Sequence, residues 1–118
     1  MTSFYDLLNQ IRCRPTLYLS RYSIFEFQTF YQAYQFARQD ADLPITAEAL
    51  EFETFLDWIR ERLNARTNHS WASLILFHYS LEGDERLALD QLFELWDEFQ
   101  AQKQQQPLAD RHSLSRAS

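Results

Sequence analysis

Trp71-Ala-Ser-Leu-Ile-Leu-Phe-His-Tyr79 decides the fold of this 118-residue chain. Read as a strand, it would seat a sheet at the centre of the molecule. Read as a helix, it completes an all-helical body. Periodicity alone does not separate a short buried strand from a buried helical segment, and the strand stays open as the alternative. Ser70, just in front, is a residue type that accepts hydrogen bonds from first-turn N–H groups, which favours the helix. Trp71, Ala72, Leu74, Ile75, Leu76, Phe77 and Tyr79 make it apolar on nearly every side. Such a helix is expected at the centre, touched by its neighbours all round.

Working outward, the other segments carry helical spacing. Ser3 caps a first helix with Phe4, Leu7, Leu8 and Ile11 at i, i+3, i+4 and i+7. Pro15 stops it, because the residue before a proline is pushed out of the α region, and Thr16–Leu19 is expected to run extended. Ser23, or Ser20 before it, opens a second helix to about Asp40, with Ile24, Phe27, Phe30, Tyr31, Tyr34 and Ala37 inward. Phe25 and Phe36 fall roughly opposite that stripe and suggest burial on two sides or a partner surface. Ala41–Ile45 is a connector. Thr46 caps a third helix to about Asn64, with Phe52, Phe55, Leu56, Ile59 and Leu63 inward and Glu53, Asp57 and Glu61 outward. Arg66–His69 is a turn, and Gly83 marks another before a fifth helix over about Asp84–Gln104. There Leu89, Leu92, Phe93, Trp96 and Phe99 point inward and Asp90, Glu94, Asp97 and Glu98 lie opposite. The expected fold is a single all-α bundle of about five helices over 1–104, with the apolar fourth helix at its centre. Residues 105–118, polar and without periodicity, are expected to be a disordered tail.

Composition narrows function by exclusion. One glycine, against ten Phe, six Tyr and three Trp, leaves little material for phosphate-cradling loops or a strained nucleophile turn. His69, His78 and His112 show no metal spacing, and no catalytic or dinucleotide motif occurs. We therefore expect no enzyme activity, no cofactor and no metal. Cys13 stands alone, so no internal disulfide forms; a small packed side chain in a reducing compartment is expected. No run approaches the apolar length of a membrane span, and Met1–Asp6 has no leader character, so a cytoplasmic protein is expected. The formal net charge of −6 disfavours duplex nucleic acid as partner.

Two clusters remain as candidate sites. Arg12, Arg14, Tyr18 and Arg21 could hold a carboxylate or phosphate near the first interhelical turn. The partner-binding candidates are the aromatics Phe25, Phe36 and Trp58 with the acids Glu53, Asp57, Asp90, Glu94, Asp97 and Glu98. Seven acids face a single base, Arg86, between residues 82 and 99. An acidic face would steer a basic partner protein.

Four stretches carry a resemblance over roughly residues 3–100. Phe4-Tyr-Asp-Leu-Leu8, Arg14-Pro-Thr-Leu-Tyr-Leu19, Ser70-Trp-Ala-Ser-Leu-Ile-Leu-Phe77 and Phe93-Glu-Leu-Trp-Asp-Glu-Phe99 resemble a set of small bacterial proteins found among candidate toxin-neutralising (immunity) proteins. The shared motifs, Arg-Pro-x-x-Tyr-Leu and Trp-x-x-x-Ile-Leu-Phe, imply architecture more than activity. Such proteins often carry glycine where this chain has Ser20. The Arg12-x-Arg-Pro-x-x-Tyr18 segment also resembles the opening of gyrase-type ATPases, but their later acidic/Asn helix and glycine-rich lid are missing here. The resulting expectation is a non-catalytic protein-binding module, an immunity-type inhibitor of a basic toxin. The alternative is an accessory or structural subunit of a larger assembly, or a homodimer.

Overall fold

A computed structural model describes residues 3–63 and 69–117, with side chains as far as Gln104 in the last helix. Its elements in chain order are α1 (Phe4–Cys13), α2 (Pro15–Tyr18), α3 (Ile24–Asp40), α4 (Ala47–Arg62), α5 (Trp71–Tyr79) and α6 (Glu85–Ala117). No strand occurs among the described residues, so the Trp71–Tyr79 stretch is a helix. The expected turn over Arg66–His69 lies, His69 apart, outside the described residues, and α6 runs on past its expected end at about Gln104, with the side chains of 105–118 outside those described.

Hydroxyl and carboxylate caps start all of these helices but α2. Ser3 and Asp6 form a reciprocal capping box on α1. Ser23, Thr46 and Ser70 accept from Phe25, Ala49 and Ser73 N–H at the starts of α3, α4 and α5. Asp84 accepts from the N–H groups of Arg86 and Leu87 at the start of α6. Gly83 takes φ +74 in the turn before it, where a left-handed backbone suits glycine.

The Thr16–Leu19 segment is not extended. Pro15 ends α1 but its fixed φ suits a first helical position, so it opens the one-turn α2 instead. This accounts for six helices among the described residues where about five were expected.

The core is aromatic. Phe27, Phe52 and Phe55 are almost fully enclosed. Phe52 meets Phe4, Phe27 and Tyr31 edge-on at 5.5, 6.2 and 5.0 Å between ring centres. Phe55 meets Trp96 at 5.1 Å and Phe99 at 5.5 Å. Tilted and edge-to-face pairs of this kind place ring edges on neighbouring faces and lock side-chain orientation.

α5 shares the centre with α6. In α6, Ala88, Leu89, Leu92, Phe93, Leu95, Trp96 and Phe99 are all buried, a wider arc than the expected stripe. In α5, Trp71, Ala72, Ile75 and Leu76 face α3, α4 and α6. Phe77 lies about 200° round from Ile75 and is 61% exposed. The fourth expected helix therefore packs on three neighbours, as expected, but leaves Phe77 and His78 open. Cys13 shows the same geometry: two residues beyond the buried Ile11, it is exposed rather than packed. Ala37, expected inward, is also exposed.

Candidate functional site

The arginine cluster near the first turn is pulled apart by its own ion pairs. The Arg12 guanidinium donates to both Asp97 oxygens at 2.7 and 2.6 Å and lies over the Phe93 ring at 5.6 Å. Hydrogen bonding to Asp97 raises its pKa. Arg21 sits 3.4 Å from Glu26 and 3.8 Å from Glu85. The Tyr18 hydroxyl donates to Gln10 at 2.7 Å. Arg14 is the break between α1 and α2 and has no carboxylate partner among the described residues. With Tyr18, Leu17, Cys13, Gln10 and Asn9 it lines an open hollow of about 360 Å³. The four residues do not converge on one anion.

Most of the candidate acids are tied to a neighbouring helix. Asp97 holds Arg12, joining α6 to α1. Glu98 pairs with Arg62 at 2.8 Å, joining α6 to α4. Asp90 accepts from the Tyr22 hydroxyl, whose ring carries the Arg86 guanidinium 4.4 Å from its centre. Glu53 accepts from both the Tyr31 hydroxyl and Gln35, bridging α4 and α3. Burial, with the hydrogen bond to Glu53, pushes the Tyr31 phenol well above its ordinary value. Among the described residues, Asp57 and Glu94 keep exposed carboxylates with neither an ion pair nor a hydrogen bond. A carboxylate that accepts from tyrosine or glutamine keeps its charge, whereas one paired with arginine is largely neutralised. The outer faces of α4 and α6 are thus less acidic than their residue lists suggest.

The candidate aromatics separate in the same way. Phe25 is half-buried against the core. Trp58 lies near-parallel to Phe55 at 6.0 Å, meets Phe99 at 5.6 Å and is covered by Arg62 at 5.0 Å. Phe36 alone is open, at 70% exposure. The expected second stripe of α3 is one packed ring and one free ring.

A groove lies where the sequence shows only a connector. Tyr34, Gln35, Arg38, Gln39, Asp42, Leu43, Pro44, Ile45 and Ala49 line a groove of about 580 Å³ between the end of α3 and the start of α4. Its shape follows from how α3 stops. The Leu43 N–H bonds to the Arg38 carbonyl at 2.9 Å and the Asp42 N–H to the Gln39 carbonyl at 3.0 Å. This 6→1 and 5→2 pattern requires a left-handed residue at its hinge, usually glycine. Asp42 occupies it at φ +56. Arg38 then reaches across to donate to the Pro44 carbonyl at 3.0 Å, with its guanidinium 5.9 Å from the Tyr34 ring centre. Leu43 and Ile45 are left 50% and 57% exposed. Thr46 caps α4 directly afterwards. The available signal was the apolar run Leu43-Pro-Ile45, followed by Leu50, an outward leucine in the first turn of α4.

Among the described residues, no group of three or more His, Cys, Asp or Glu is placed to hold a metal ion. No described helix is long and apolar enough to cross a membrane. Comparison of the chain with protein-family models, curated proteins and solved structures returns no match.

Proposed function

We propose that this chain is a non-catalytic protein-binding module, acting as an immunity-type inhibitor of a basic protein toxin. The observation that carries the reading is the grouping of large apolar side chains on an open surface although the core is complete. Leu43 and Ile45 stay exposed in the lining of the groove, and Phe36 and Leu50, outside that lining, are exposed on the two helices that flank it. Exposed apolar groups scattered singly need no explanation, but a concave cluster of them is a mark of contact surfaces. The net charge of −6 supports a basic partner. Its field acts over about a Debye length, roughly 8 Å at physiological salt, and speeds encounter without each acid touching the partner.

Affinity capture on the full chain from its source cell, run at low and at high salt, tests this. A basic protein should be retained at low salt and released as salt rises. Retention of nothing, or retention indifferent to salt, contradicts the reading.

A second reading, an accessory subunit or homodimer, has one specific support. Phe77 on α5 and the wholly exposed Leu81 beside it form another apolar edge. Light scattering separates the two, since a monomer in solution argues against self-association.

A further inference from the structure

We infer that the α3–α4 groove receives a segment of the partner protein that presents a large apolar side chain beside a lysine or arginine. The inference rests on the protein-binding reading above and adds where the contact lies and what chemistry fills it.

The floor is apolar: Tyr34, Leu43, Pro44, Ile45 and the buried Ala49 face a space of about 580 Å³. A leucine- or phenylalanine-sized group entering it would remove already desolvation-prone surface from water. Arg38 is the one cation lining it, and it is engaged by the Pro44 carbonyl and the Tyr34 ring. Asp42 lines the rim, and Asp40 stands two residues before it; both are exposed and carry no ion pair among the described residues. The C-terminal end of α3 adds partial negative charge in the same place. Gln35 and Gln39 offer amides but no charge. A cation on the incoming segment therefore meets two unpaired carboxylates, whereas an acidic residue has Arg38 alone to set against them. A backbone detail agrees: glycine is the least strained residue at the Asp42 position, yet a carboxylate stands there.

The test uses the full chain against a random peptide display library, with two variants. Asp42→Asn removes the charge but keeps a residue that tolerates the left-handed backbone. Leu43→Ser with Ile45→Ser strips the floor at half-exposed positions, so the fold is retained; an unchanged melting transition verifies this. Enriched peptides should carry an aliphatic or aromatic residue next to Lys or Arg. Their affinity should fall at least about tenfold on the Leu43→Ser/Ile45→Ser chain. It should fall severalfold on Asp42→Asn, and that loss should vanish for a peptide whose cation is replaced by glutamine. Peptides that bind all three chains equally, that enrich acidic residues, or that fail to enrich overturn the groove assignment. Selected peptides that map to the Phe77–Leu81 edge overturn it while leaving the protein-binding reading standing. A groove buried in a dimer of this chain also overturns it, in favour of a second copy as occupant. The salt-dependent capture experiment fails independently of all these outcomes.

Discussion

The two ends of α3 are built from similar residue types and reach opposite results. At its start, Ser23, Tyr22 and Arg21 meet Glu85, Asp90 and Glu26, and Arg86 covers the Tyr22 ring. Each charge there finds a partner on the same turn or on α6. At its end, Tyr34, Arg38 and Asp42 line a groove, Asp40 stands two residues before Asp42, and the two carboxylates find no ion pair among the described residues. The difference is what lies opposite. The start of α3 packs on the first turns of α6, which supply complementary groups. The end of α3 turns back on itself through Leu43 towards α4's first turn, and its Tyr34 meets Phe4 of α1. Polar residues thus serve cohesion where a second helix crosses and stay available where the chain reverses.

The largest expected effect lies at the closed end. Ser23 is buried, accepts from Phe25 N–H at 3.1 Å and donates to Glu85. Ser23→Val should cost about 2–4 kcal/mol in urea denaturation, from the lost cap and the lost hydrogen bond to the Glu85 carboxylate. Leu43→Ser or Ile45→Ser should each cost less than about 1 kcal/mol. Equal losses at both ends would break the contrast.

Alkaline pH should attack the closed contacts next. Burial and hydrogen bonds to carboxylates raise the phenol pKa values of Tyr22 and Tyr31 above 10.0, and Tyr5, buried near Glu51 and Glu48, is pushed up to about 12. Raised folded-state values mean that folding favours the protonated phenols. Their contribution is complete below pH 10 and is lost as pH climbs through the folded-state values. Urea midpoints should therefore fall above pH 10, and Tyr31→Phe should soften that fall while lowering stability at neutral pH. A pH-independent midpoint up to 11 would contradict it.

At the open end, Asp42→Gly should stabilise the fold by about 0.5–1 kcal/mol, because it relieves a left-handed non-glycine residue. It should also weaken any groove ligand that carries a cation. A stabilised chain with unaltered binding would remove Asp42 from the site. The smallest effect belongs to Arg12→Gln. Both partners of the Arg12–Asp97 pair are substantially exposed. Its loss should cost no more than about 0.5–1 kcal/mol and less at high salt, as a salt titration of the urea midpoint would show.

Much of the scaffold was legible in the residues. Ser3, Ser23, Thr46 and Ser70 mark helix starts because an oxygen before an apolar-periodic run has an obvious use. Phe52, Phe55, Leu56 and Ile59 mark the inner face of α4 by spacing alone. Three features were not legible. The apolar character of Trp71–Tyr79 suggested the centre, but the number of neighbours a helix obtains depends on tertiary placement, and Phe77 was left outside. Acids opposite an apolar stripe read as a solvated face, because Arg12–Asp97 and Tyr22–Asp90 join residues far apart in sequence. The groove hid in Ala41–Ile45 because a short connector between capped helices reads as a link. Only the reversal at Asp42 turns Leu43, Pro44 and Ile45 into a surface.

The central claim is that this molecule meets its partner through the reversal between α3 and α4, while Asp90, Asp97 and Glu98 of α6 are engaged within the body. Amide chemical-shift mapping of the full chain with a library-selected basic peptide addresses it directly. The expected footprint covers residues 34–49 and spares Asp90, Glu94 and Asp97. Shifts concentrated on the outer face of α6, with residues 34–49 silent, would contradict it.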